Sequence, residues 1–408
     1  MQTSYDETQY ESFPYHQTHP QHLYTLGKLF GINPPDFKDA RVLELGCASG
    51  GNLIPMAYQL PKAAFVGVDL SGKQIQDGQD LIARLKLNNI ELKQLSILDI
   101  TPDLGSFDYI IAHGIYSWVS EDVQDKLFEI AEKHLSPNGV LYVSYNTMPG
   151  WCMVKSIRDM MLYHTADLVE PKTKAQQARA LLQFISEGLE GDQSSYAGFL
   201  SQEIELLKKQ PDSYLLHDHL EEINKPVYFY QIVEQAQKYH LAYLSDTHVA
   251  NMFIANLPPP FAQEIGKVKN LVIANQYMDF VRNQRFRATL FCKDSAPIQR
   301  HLNSYDVEYF YLSYRARKPE KLDITEGVEA QFVGEHITLT TKSKLSKCAL
   351  KLLIESPKPM AYQDMLDGVA NEMGDMAKAD IKAQLNNDLN LMRLIMGGLI
   401  GIQSMVAN

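Results

Sequence analysis

Cysteine, long apolar runs and positive charge are what this sequence has least of. Its four cysteines, Cys47, Cys152, Cys292 and Cys348, stand far apart without a C-x-x-C pair. That spacing excludes a disulfide framework and a thiolate zinc site, and it predicts a reducing, cytoplasmic setting with no metal. No apolar run nears the roughly 20 residues that span a bilayer. Met1 to Tyr15 is acidic and aromatic, where a signal peptide is basic and then apolar, so neither a membrane span nor export by that route is expected. The 38 basic side chains are outnumbered by 49 acidic ones, a formal net charge of −11. The chain thus lacks the basic excess that phosphate contacts need, and no nucleic-acid partner is expected. Internal repeats and low-complexity tracts are missing too, which removes solenoids and propellers.

What is present suffices for a large fold. A chain of 408 residues with 45% hydrophobic content can bury a sizeable core and predicts two or three domains. Residues 1–150 hold 10 basic and 18 acidic side chains, so the first part is the more acidic. There, Arg41 to Leu45, Ala64 to Asp69, Ile90 to Gln94, Phe107 to His113 and Gly139 to Asn146 read as buried strands. Gly51 to Gln59, Ser71 to Leu87 and Ser120 to His134 read as helices, with Ser71 and Ser120 as N-caps. The alternation predicts an α/β fold with a parallel, doubly wound sheet, whose ligands sit beyond the carboxyl ends of its strands. From 152 to 290 the pattern becomes mainly helical, which puts a domain boundary near Pro149-Gly150.

Three loops then converge on one nucleoside. After the first strand, Glu44-Leu45-Gly46-Cys47-Ala48-Ser49-Gly50-Gly51 is a turn of small residues that lets backbone approach a ligand. Asp69 ends the second strand, where a carboxylate accepts hydrogen bonds from the two hydroxyls of a ribose. Asp99, within Ser96-Ile97-Leu98-Asp99-Ile100, suits an adenine amino group. A pyrophosphate site wants G-x-G-x-x-G, but Ala48 stands at the second glycine, and Glu44 would repel phosphate and attract an ammonium. S-adenosylmethionine is therefore expected in preference to a dinucleotide.

VLELGCASGGNLIPMA, GVDLSGKQI, SILDI and FDYIIAHGIYSWV resemble the successive motifs of a seven-strand, Rossmann-like, class I S-adenosylmethionine-dependent methyltransferase, densely over 41–146. YDETQYESFPYHQTHP, SYNTMPGW and QYMDFVRNQRFRATLFC narrow the resemblance. They point to the bacterial methyltransferases that carry a methyltransferase regulatory domain, the group that includes the rickettsial protein lysine methyltransferases. The resemblance implies cofactor contacts at Glu44, Gly46, Cys47, Ala48, Gly50, Asn52, Asp69, Leu70, Asp99, Ile100 and His113. It also implies methyl transfer to lysine side chains of a protein substrate. A small-molecule acceptor stays open as the alternative, as does a regulator that binds S-adenosylmethionine without turnover. Three domains are expected: 1–150, binding S-adenosylmethionine, with an N-terminal lid segment; 151–325, a mainly helical regulatory or substrate domain; and 326–408, winged-helix-like.

Displacement at a sulfonium methyl asks for alignment more than for acid-base chemistry. A lysine amine must still shed a proton, which a desolvated aromatic channel favours. Tyr10, Tyr15, Tyr116 and Trp118 supply rings for such a channel, packing being their other reading, and His113 is a candidate base or loop-ordering residue. Thr18 and Pro20 read as the start of a helix. His217 and His219, flanking Asp218, read as a surface pair outside any site. Residues 276–321 are basic, which suggests a solvated face or ion pairs to the acidic first domain, with an anionic-partner site as the alternative. At the C-terminus, helices follow at KLSKCALKLLIE, Tyr362 to Met373 and Met376 to Leu394, then a strand at LIGIQ. The third helix balances its charges, which favours protein contact, including a homodimer, over DNA.

Overall fold

Five apolar runs form strands where the alternation places them: β1 Arg41–Leu45, β2 Ala64–Asp69, β3 Ile90–Gln94, β4 Phe107–Ala112 and β5 Leu135–Asn146. In the computed structural model, which describes residues 12–302, 304–374 and 376–404, they pair in parallel in the order β3-β2-β1-β4-β5. Helices α1 Pro20–Leu29, α2 Leu53–Gln59, α3 Gly72–Leu85 and α4 Glu121–His134 cover the faces. Successive strand residues enter opposite cores. Val42, Tyr109 and Tyr142 pack with α1 and α2, whereas Leu43, Ile110 and Val143 pack with α4. Ser71 caps α3 by accepting from the Gln74 N–H at 3.3 Å, but the Ser120 side chain makes no such bond. At α1 the cap is His19, whose Nδ1 accepts from Gln21. The Thr18 hydroxyl is instead committed to Tyr15 and Asn52.

The sheet has seven strands and is mixed, where a parallel one was expected. After α5 Gly150–His164, α6 Pro171–Gly188 and α7 Ser195–Lys208, the chain forms α8 Phe229–Gln237, β6 Leu241–Asp246, α9 Pro259–Ile265, α10 Leu271–Arg282 and β7 Phe286–Lys293. β7 slots between β5 and β6, antiparallel to both. Residues 241–293 thus complete the sheet begun before Pro149, and the stretch from α5 to Leu220 builds a separate core of Ile157, Met161, Leu182, Leu200 and Ile204. The two late strands escape the alternation because residues 147–240, mostly helix, part them from β5.

Beyond the sheet lie β8 Tyr311–Tyr314, a hairpin of β9 Ala330–Val333 and β10 Thr338–Thr341, α11 Lys344–Glu355, β11 Met360–Ala361 and α12 Tyr362–Met373. Then come α13 Lys378–Leu389, α14 Leu391–Met396 and β12 Ile400–Gln403. The single helix expected over 376–394 is two, broken at Asn390, whose left-handed φ of 43° ends α13 while its side chain caps α14. β8 lies between β11 and β12. Leu345, Cys348 and Leu391 belong to the same core as Val42 and α1, so this region packs on one face of the large sheet. Among the described residues, no helix is long and apolar enough to cross a membrane.

Candidate active site

The ends of β1, β2, β4 and β5 open on a cavity of about 720 Å³. Glu44 lies at its floor, 3% exposed. Its Oε1 accepts from Asn52 Nδ2 at 2.7 Å, and its Oε2 has no partner. Burial, opposed by the Asn52 bond and reinforced by Asp69, pushes its carboxyl up to about 7. The turn above it is shaped by two left-handed residues. Gly46 has φ 72° and no room for a side chain, since a Cβ would lie 2.5 Å from Ile115 Cγ2. Ala48 has φ 49° and points its N–H at Asp69 Oδ2, 2.8 Å away, while Asp69 Oδ1 accepts from Ser71 N at 2.9 Å. Both oxygens of Asp69 are thereby fixed at the cavity wall.

The N-terminal segment is stitched to this floor. Asn52 accepts from the Tyr15 N–H at 2.9 Å and bonds the Thr18 hydroxyl, so the strap, Asn52 and Glu44 form one network. The Tyr15 ring stands 3.9 Å from that of His113. His113 Nδ1 is held by the Tyr142 hydroxyl at 2.8 Å and by Ser144. Burial lowers its pKa to about 4, which leaves it neutral at pH 7 as a residue that orders the strap and the β4 loop.

Of the residues singled out in sequence, Glu44, Gly46, Cys47, Ala48, Asn52, Asp69, Leu70, His113, Tyr15 and Trp118 line the cavity. Gly50 lies outside the lining, with φ 77° and a place for Cβ 2.9 Å from Leu92. Cys47 is a packed residue, its thiol pushed well up by burial. Asp99 is exposed and Ile100 is in the core, and neither reaches the cavity; Leu95, Ser96 and Ile97 form that wall. Tyr116 is also a core residue, its ring against Phe128 and Tyr145 and its hydroxyl on Gln235. Tyr10 lies outside the described residues.

The far wall was not legible. Gly150 starts α5 against β7, where a Cβ would lie 2.4 Å from the Gln284 carbonyl. That close approach brings Trp151 into the cavity's wall, edge-on to Trp118 at 6.2 Å. A π-helical turn, Leu215–His219, supplies His217, Asp218 and His219 to the same cavity. These three are therefore not the surface group expected: both histidines are buried, and His219 stacks on Trp151. Burial lowers His219 to about 4 and raises Asp218 to about 7. Glu203 and Arg285, an ion pair, flank them.

Two family models match the chain: a methyltransferase domain over residues 36–186 and a predicted methyltransferase regulatory domain over 211–293. PKMT2 from Rickettsia typhi, solved in complex with AdoHcy, is 40% identical, with a TM-score of 0.87 over 97% of this chain and 77% of that one. The Rickettsia prowazekii protein RP789 is 42% identical over 98% of this chain and 73% of its own length. A second protein of that organism, RP028, is 48% identical over 58% of this chain and 94% of its own.

Proposed function

Since this chain belongs to the S-adenosylmethionine-dependent methyltransferases that carry a methyltransferase regulatory domain, we propose that it methylates lysine side chains of a protein. The observation that carries this reading is the cavity's composition. At one end lie an orphaned carboxylate oxygen of Glu44 and the fixed carboxylate of Asp69; at the other lie Trp118, Trp151 and Tyr214. The likeness to PKMT2 supports it.

S-adenosylmethionine, when bound, supplies an electrophilic methyl group on a sulfonium. Glu44 is suited to its ammonium, Asp69 to its ribose, and the Leu95–Ile97 wall to its adenine. Rings around the acceptor strip water from the amine, which lowers its pKa and favours the neutral nucleophile. Their faces hold it while it is still charged.

The test is transfer of labelled methyl from S-adenosylmethionine into a bacterial lysate, separated into protein and small-molecule fractions. Label should stay with protein and appear as methyllysine after acid hydrolysis. Label in the small-molecule fraction, or no transfer by a protein that binds the cofactor, overturns the lysine reading.

A further inference from the structure

The cavity holds four carboxylates, and three have an evident counterpart. Glu44 and Asp69 face the cofactor end, and Glu203 is paired with Arg285. Asp218 is the fourth. Among the described residues its carboxylate has no hydrogen-bond or ion-pair partner, and desolvation alone accounts for its shifted titration. Asp218 is half-buried in a cavity that Trp118, Trp151 and Tyr214 also line, and a partnerless carboxylate in such a place is a natural counter-charge for a cationic ligand. The turn that carries it is equally unusual. A π turn is rare and destabilising, and such turns collect at functional sites; this one turns His217, Asp218 and His219 inward together.

Rings connect this turn to the reacting end. Trp118, on the loop after β4, meets Trp151 edge-on; Trp151 stacks on His219 at 6.2 Å and 24°; and Tyr214 lies 5.6 Å from His219. A flat-walled slot closed by one carboxylate fits a primary ammonium on an alkyl stem.

We propose that Asp218 receives the ammonium group of the acceptor lysine and takes its proton before methyl transfer. This rests on the lysine reading above. The proton passes from the ammonium to a carboxylate oxygen, leaving the nitrogen its lone pair. The nitrogen–carbon bond forms as the carbon–sulfur bond breaks, with that bond's electron pair staying on sulfur. The methylated amine is cationic again, and Asp218 returns its proton to solvent. The groups facing Asp218 are the flanking His217 and His219, Tyr214, Glu203 and Arg285, with Arg158 acting on His219. His219 is neutral and Arg285 is paired with Glu203, so neither supplies a free cation to Asp218.

The experiment uses the full chain with S-adenosylhomocysteine present and n-butylamine, a lysine side chain without its backbone, as probe; n-butanol is the neutral control. In the wild type, nuclear magnetic resonance should show butylammonium binding that strengthens as pH rises through about 7, and butanol binding that does not change. Asp218→Asn should lose at least tenfold of the butylammonium affinity yet bind S-adenosylhomocysteine within twofold of wild type. Its methyl transfer to protein at pH 7.5 should fall at least a hundredfold and recover toward pH 10, where the free amine exists in solution. Equal binding of butanol and butylammonium by the wild type, or full lysine methylation by Asp218→Asn, overturns the assignment and leaves the lysine reading intact. Joint loss of cooperative melting and S-adenosylhomocysteine binding in the variant shows a structural carboxylate and overturns it too. A wild type whose label never reaches lysine fails the earlier reading instead.

Discussion

At Glu44 the demands of the empty protein and of the cofactor pull in opposite directions. A carboxyl moved from 4.5 to about 7 by burial binds more protons folded than unfolded between those values. Its contribution is fully present below pH 4.5 and is lost as pH rises through 7. Glu44→Gln keeps an acceptor for Asn52 and abolishes the ionisation. At pH 8 the variant without ligand should be more stable by on the order of 1–3 kcal/mol, while its affinity for S-adenosylhomocysteine falls. Melting curves and calorimetry on the same samples check both signs, and unchanged affinity would remove Glu44 from the site. Asp69→Ala differs in kind, because its carboxylate also anchors the Ala48 and Ser71 N–H groups. It should cost about 1–3 kcal/mol of cofactor binding, read by calorimetry, and should lower the melting temperature. These residues were legible because each ends a buried strand. Asp99 was misplaced because Ile97–Asp99 is a 3-10 turn, capped by Ser96, that keeps Ser96 and Ile97 at the wall and turns Asp99 outward.

Among elements, β1, β2 and β4 were readable as short, nearly continuous apolar runs bounded by polar turns, and the ends of those strands follow. The π turn was not, since two histidines spaced by one residue carry no periodicity that separates an inward turn from a surface loop. The strap lies between these cases. Its rings suggested a lid, but nothing in sequence links Tyr15 and Thr18 to Asn52, 37 and 34 residues away. That link changes what a truncation should do. Removing residues 1–18 takes the Tyr15 and Thr18 partners from Asn52, leaving it only Glu44, and takes the Tyr15 ring from His113, so S-adenosylhomocysteine affinity should fall along with turnover. Loss of turnover at full affinity would mean that the strap serves the acceptor alone.

On the scale of the whole molecule, the parts are joined by apolar packing more than by charge. The basic segment was expected to be a solvated face or to pair with the acidic first 150 residues. Two of its arginines are satisfied elsewhere: Arg285 by Glu203, and buried Arg287 by Asp246 and Asp279 beneath the ring of Phe229. What joins the parts is apolar. One core runs from Val42 and Tyr109 of the sheet through Leu26 of α1 to Leu345, Leu350 and Leu394 near the C-terminus. Thr25 of α1 bonds Ser404 just past β12 at 2.7 Å. Since α1 continues directly from the strap that fixes Asn52, removing residues 326–408 should unsettle the cofactor floor although none of the described residues among them lines the cavity. The fragment 1–325 should melt well below the full chain and bind S-adenosylhomocysteine weakly. The stretch from α5 to Leu220, by contrast, has its own core, and hydrogen exchange should find it opening at lower free energy than β1, β4 and β5. A fragment 1–325 with full cofactor affinity would show that α1 holds its place against the sheet without the C-terminal region, and that the shared core is contact without energetic dependence.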